Sequence, residues 1–198
     1  MSRPYLLGMT GSIGMGKSTT AKMFAAEGIP VWDADATVHA LYAPGGAAVA
    51  PIEAAFPGTV VAGGVDRARL RAALAGQKQA LSRLESIVHP LTTAARAAFI
   101  AAHAGADLIL LDIPLLYETG AETACDSVLV VTAPPEVQRA RVLDRGTMTE
   151  AELALILARQ MPDAEKRARA DHLIETLTLE QTHAAVQNLI AKIRSRHA

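Results

Sequence analysis

From Gly11 to Ser18 the chain reads Gly-Ser-Ile-Gly-Met-Gly-Lys-Ser, and no other run constrains the fold as tightly. The spacing G-x-x-x-x-G-K-[ST] has a mechanical reason. Its glycines let successive backbone N–H groups turn inward into an anion cradle, and a helix opening at the lysine adds its positive end. Such a loop needs a strand before it and a helix after it. Tyr5 to Thr10 reads as a short buried strand, and Lys17 to Glu27 has helical character that Gly28 stops. Ile29 to Trp32 is a second short strand, closed by Asp33-Ala34-Asp35. Strand, loop, helix and strand in one short stretch are the footprint of a βαβ unit with a parallel pair. The cradle comprises Gly11, Ile13, Gly14, Met15, Gly16, Lys17, Ser18 and Thr19, with Lys17 reaching the β- and γ-phosphates of a nucleotide and the Ser18 hydroxyl ligating Mg²⁺.

The middle of the chain differs in texture. Residues 36–104 are mostly helical, broken by Pro44-Gly45-Gly46, Pro57-Gly58 and Gly63-Gly64, and nothing there alternates as a strand. They are expected to form a helical insertion. Asp107 to Asp112 and Ser127 to Val131 return to fully buried strands. Pro134-Pro135 opens a helix expected to reach about Arg145. A further helix spans Thr149 to Gln160 with Thr149 as its N-cap, and His172 to Glu175 is a last strand before an amphipathic helix ending near Arg194. The expected architecture is α/β, a three-layer α/β/α arrangement around a parallel five-stranded sheet. Its core is 1–35, 105–134 and 170–198.

Bulk properties remove several classes of function. With 51% hydrophobic residues and a mean hydropathy of +0.22, the chain is globular rather than disordered. A net charge of −1 gives no long electrostatic footprint for nucleic acid. The single cysteine, Cys125, rules out an intramolecular disulfide. No run reaches the roughly 18–20 apolar residues of a membrane span. Gly8 to Lys17 is glycine-rich where a secretory signal would be apolar. The expectation is a cytoplasmic protein acting on small molecules, without nucleic acid or membrane partners, as a monomer or weak homo-oligomer.

Further features choose among nucleotide-binding chemistries. A GTPase needs an Asn-Lys-x-Asp guanine reader, and the only asparagine is Asn188 in the last helix. Asp33 and Asp35 lie at the carboxyl end of the second strand, the edge where doubly wound sheets bind ligands. A carboxylate there could take the proton of an attacking hydroxyl in phosphoryl transfer. Either aspartate could instead simply cap the next helix. The pattern predicts a small-molecule kinase of P-loop type, with an acceptor-binding insertion over 36–104. A non-catalytic nucleotide-binding regulator, or a kinase for a nucleoside, a nucleotide or a shikimate-like alcohol, are the alternatives.

The runs Thr10 to Thr19 and Gly28-Ile29-Pro30-Val31-Trp32-Asp33-Ala34-Asp35 together resemble the dephospho-CoA kinases, which phosphorylate the ribose 3′-hydroxyl of dephospho-coenzyme A with ATP. The resemblance implies that Asp35 accepts the proton and that Asp33 supports the acceptor site or the metal shell. It continues through Gly64-Val65-Asp66-Arg67, the His89-Pro90 element and Pro114-Leu115-Leu116-Tyr117-Glu118. These imply acceptor contacts for His89, Leu115, Leu116 and Glu118, and Asp112 stands where related proteins keep a magnesium-supporting carboxylate. Gln138, Arg141 and Arg145 match the family's lid helix, which implies a helical lid over 135–169. The two arginines, four apart, share a helical face and would neutralise charge on the transferring phosphate, unless they are only a solvated basic face. Gln160 and Lys166 fit the pattern further along. Thr176 and Leu177 depart from it, where the family usually has Asn and Gly.

Overall fold

Strands without alternation become the middle of a sheet covered on both faces. The computed structural model describes residues 3–146 and 148–197. Its first half runs β1 (Tyr5–Thr10), α1 (Lys17–Ala26), β2 (Val31–Asp33), α2 (Ala34–Tyr42), α3 (Val49–Ala55), β3 (Val60–Val61), β4 (Gly64–Val65), α4 (Arg67–Leu74) and α5 (Lys78–Ala102). Then follow β5 (Leu108–Asp112), a 3₁₀ turn (Ala121–Ala124), β6 (Ser127–Thr132), α6 (Pro135–Leu143), α7 (Glu150–Leu157), α8 (Asp163–Arg169), β7 (His172–Glu175) and α9 (Leu179–His197). Five strands form one sheet in the order β2-β5-β1-β6-β7. Parallel pairing joins β1 to β5 and β6, and β6 to β7. The expected parallel α/β core is therefore present, with β1 at its centre and the Gly11–Ser18 loop leaving its carboxyl end.

The chain forms two compact units, the described parts of Met1–Trp32 with His103–Ala198, and Asp33–Ala102. In the sheet unit, α1 and α9 cover one face. Phe24, Leu7, Met9, Leu110 and Leu129 are without exposure in that core, joined by Val186 and Ile190 from α9. Each such side chain contributes roughly 1.5–3 kcal/mol by leaving water. The helical unit has its own core of Ile52, Phe56, Leu70 and Val88, with Leu41 and Leu84 packed against it.

Four local readings need correction. The middle is not wholly without strands, because β3 and β4 pair as a small antiparallel hairpin turning through Ala62 and Gly63. Two-residue strands are too short to show a period. Helix α6 ends at Leu143, so Arg145 lies in the following turn, which Gly146 completes at φ 64°. Helix α7 ends at Leu157, short of Gln160, although Thr149 is its N-cap and forms a full capping box with Glu152. A seven-residue helix, α8, stands where none was anticipated.

Candidate active site

The loop after β1 holds the conformation its glycines permit. Gly14 and Gly16 sit at φ 79° and 86°, in the left-handed region that side chains resist, and Gly16 is the residue from which α1 starts. The space is equally restrictive: a Cβ on Gly11 would lie 2.6 Å from the Val131 carbonyl oxygen. Because Gly16 has no side chain, the first-turn N–H groups of α1 carry no side-chain cap of its making.

Neutral side chains hold the loop from behind. Gln138 on α6 donates to the Ile13 carbonyl at 2.7 Å, and the Ile13 N–H donates to Gln160 Oε1 at 3.4 Å. The Thr176 hydroxyl, just past β7, donates to the Met15 carbonyl at 2.9 Å, and the Ala133 N–H lies 3.0 Å from Met15 Sδ. Thr176 also receives Arg141. Its Oγ1 accepts from Nη1 at 2.8 Å and its carbonyl accepts from Nη2. The threonine that departs from the family pattern is thus the joint between the loop, the sheet edge and Arg141. Arg141 is half-buried there, whereas Arg145 is exposed beyond the helix end. In this structure they do not share one helical face. Arg139 pairs with Glu150.

Lys17 reaches from the first position of α1 to Asp112, with Nζ 2.6 Å from Oδ1. Asp112 closes β5 and is only 2% exposed. An ammonium held at the mouth of the cradle by a buried carboxylate is charge-balanced and ready to exchange partners for phosphate. Ser18 and Thr19 follow it on the exposed side of α1.

The two aspartates of Asp33-Ala34-Asp35 separate in role. Asp33 caps α2, its Oδ1 accepting the Ala36 N–H at 2.9 Å. Asp35 is exposed in the first turn of the same helix and makes no hydrogen bond or ion pair among the described residues. His89 is exposed, midway along α5 and immediately before the internal Pro90. Leu115 is 41% exposed, while Leu116 has no exposure and packs against Gly8, so Leu116 has no surface to offer an acceptor. Glu118 is likewise turned to structure. It lies 2.9 Å from the wholly buried Lys166 ammonium, and its Oε1 accepts the Met161 N–H at 2.8 Å. Burial opposes its ionisation, but Lys166 and the Met161 N–H hold its carboxyl below the usual glutamate range.

Sequence reasoning did not anticipate the hydroxyl of Thr176 as a joint, or the two glutamines on Ile13 as braces. Uncharged amides carry no spacing signal. Their only trace was agreement of Gln138 and Gln160 with a family pattern.

Comparison with known proteins meets the same outline. Residues 5–180 match the family model described as dephospho-CoA kinase. A dephospho-CoA kinase of Cereibacter sphaeroides is 64% identical over 97% of each chain, and one of Jannaschia sp. is 60% identical over 96% of this chain and 97% of its own. Among solved structures, TT1252 of Thermus thermophilus superposes with a TM-score of 0.83 at 34% identity, covering 96% of this chain and 98% of its own. A shikimate kinase of Acinetobacter baumannii shares the fold at a TM-score of 0.52 and 18% identity, covering 98% of this chain and 94% of its own. With a complete phosphate loop, a kinase fold and near full-length relatives above half identity, the chain belongs to the dephospho-CoA kinase family.

Proposed function

We propose that this chain transfers the γ-phosphoryl group of ATP to the ribose 3′-hydroxyl of dephospho-coenzyme A, giving coenzyme A and ADP. The observation that carries the residue assignment is the division between Asp33 and Asp35. One is consumed as a helix cap, and the other is left without a hydrogen bond or ion pair among the described residues.

ATP lies against the loop from Gly11 to Thr19, on the backbone N–H groups that Gln160 and the Ser12 carbonyl do not already hold. Lys17 leaves Asp112 for the β- and γ-phosphates. Asp35 accepts the proton of the 3′-hydroxyl as its oxygen bonds to the γ-phosphorus and the bond to the β,γ-bridging oxygen breaks, releasing ADP. Arg141 and Arg145 neutralise charge on the transferring group. His89 and Leu115 face the acceptor, whereas Leu116, Glu118 and Asp33 serve it only through the structure they hold. Hard oxygen donors at Ser18 and Asp112 suit Mg²⁺, and among the described residues no trio of His, Cys, Asp or Glu gathers to bind a metal unaided. That agrees with an ion whose shell is completed by substrate phosphates. When bound, Mg²⁺ would supply charge neutralisation at the β- and γ-oxygens. Among the described residues no helix is long and apolar enough to cross a membrane. On this reading the protein works in the cytoplasm as a monomer or weak homo-oligomer, and its partners are these small molecules and not nucleic acid.

The test is ADP release with Mg²⁺-ATP and a panel of dephospho-coenzyme A, adenosine, shikimate and nucleoside monophosphates. Turnover is expected with dephospho-coenzyme A at the highest kcat/KM. Turnover with another acceptor and none with dephospho-coenzyme A would overturn the assignment.

A further inference from the structure

The helical unit carries a cluster that the reaction scheme above does not use. On α2, Asp35, His39 and Tyr42 are spaced i, i+4 and i+7, which places them along one helical face. At 1.5 Å per residue, His39 and Tyr42 lie about 6 and about 10 Å along the axis from Asp35. Arg67, the first residue of α4, leans over the far end of that face. Its guanidinium carbon is 5.7 Å from the centre of the Tyr42 ring, and its Nη2 is 3.4 Å from His39 Nδ1. A guanidinium has no acceptor, so in this contact the guanidinium donates and the histidine nitrogen accepts. Burial raises the Tyr42 phenol above its usual value although Arg67 opposes it, so the ring stays neutral beneath the cation.

The placement of Arg67 is fixed from several sides. Asp66 caps α4 by accepting the Ala68 and Arg69 N–H groups at 2.9 and 3.0 Å. The β3–β4 hairpin that delivers Arg67 is tied to the end of α2, where the Gly45 N–H donates to the Gly63 carbonyl at 3.4 Å. Gly64 comes so close that a Cβ there would lie 3.1 Å from Pro44 and 3.2 Å from the Tyr42 carbonyl oxygen. Arg67 is nonetheless exposed, and among the described residues it has no carboxylate partner. A rigidly seated guanidinium with its charge uncompensated is built for a phosphate.

We propose that Arg67, backed by Tyr42 and His39, holds the 5′-diphosphate of the acceptor and so selects a nucleotide-linked alcohol over a bare nucleoside. The span from Asp35 to this cluster is comparable with that from a ribose 3′-hydroxyl to a 5′-diphosphate across the same sugar. The assignment rests on the reading of the chain as a dephospho-CoA kinase.

The experiment compares the parent enzyme with Arg67→Gln, Arg67→Lys and Tyr42→Leu, using dephospho-coenzyme A and adenosine as alternative acceptors. Calorimetric titration of dephospho-coenzyme A runs beside the kinetics. Arg67→Gln is expected to raise both KM and Kd for dephospho-coenzyme A about 10- to 100-fold, the range for losing a hydrogen bond to a charged group. KM for ATP and kcat/KM for adenosine should stay within about twofold of the parent, which the loss of a contact to the acceptor diphosphate alone predicts. Arg67→Lys should recover part of the affinity by keeping the charge, and Tyr42→Leu should lose part of it. Equal losses for both acceptors, or an Arg67→Gln enzyme indistinguishable from the parent, would overturn the proposal while leaving the parent's activity intact. A parent enzyme inactive on dephospho-coenzyme A would instead overturn the functional reading, and this assignment with it.

Discussion

Asp33 and Asp35 show how far a residue type can be read without its geometry. Two carboxylates two residues apart at a strand end signal both a helix cap and a proton acceptor; Asp33 takes the cap, and Asp35 is the one we assign to the proton. The cap is the shorter-range role. Asp33 can reach the Ala36 N–H only because it still has extended backbone angles, whereas Asp35 is already inside the helix. Asp35→Asn is expected to leave ATP affinity as in the parent while kcat falls by about 10²–10⁴-fold, the range for losing general-base help. Nucleotide titration beside steady-state turnover checks this, and a kcat within a few-fold of the parent would remove Asp35 from the mechanism. The phosphate loop was legible residue by residue, because each position obeys a steric rule. Arg67, Tyr42 and His39 were not read as a cluster, because they come from separate helices and meet only in the folded unit. Leu116 misled, since a leucine beside a strand end looks the same in sequence whether it faces ligand or core.

At the scale of elements, burial on both faces made β5 and β6 legible, and the Thr149–Glu152 box marked the start of α7. What escaped were elements too short or too polar for a period. Helix α8 reads Asp-Ala-Glu-Lys-Arg-Ala-Arg with no apolar stripe, yet it buries Lys166 completely. Only the Glu118 partner makes that tolerable, and the partner lies 48 residues away in sequence. The pair fastens the segment after β5 to the one carrying Gln160, which in turn braces Ile13 of the loop. A half-removed buried pair leaves an uncompensated charge. Lys166→Met is therefore expected to lose roughly 3–5 kcal/mol in urea unfolding, while Lys166→Met combined with Glu118→Gln regains most of it. A single variant as stable as the parent would show that the pair holds nothing.

For the whole molecule, the depressed groups fix the direction in which pH acts. Burial, with Lys192 nearby, holds His172 below its ordinary value of 6.5, and the Glu118 carboxyl is held below 4.5. In both cases the unfolded chain binds the proton first as pH falls, so each contribution is complete above the ordinary value and is lost on acidification. Tm should begin to fall as pH drops below 6.5, through His172, and fall again below 4.5 through Glu118 together with Glu27, Glu53 and Glu152, which are also held below their ordinary value. His172→Gln should remove the first limb and spare the second, and a Tm that rises between the two values would contradict the assignment. The phosphate loop belongs to the sheet unit, and Asp35 belongs to the helical unit. The central claim is where the phosphate goes. The most direct measurement is phosphorus NMR of the product formed from dephospho-coenzyme A and Mg²⁺-ATP. One new phosphomonoester signal coupled to the ribose H3′ proton is expected, in step with ADP. A phosphate on any other oxygen, or ADP without a phosphorylated acceptor, would contradict it.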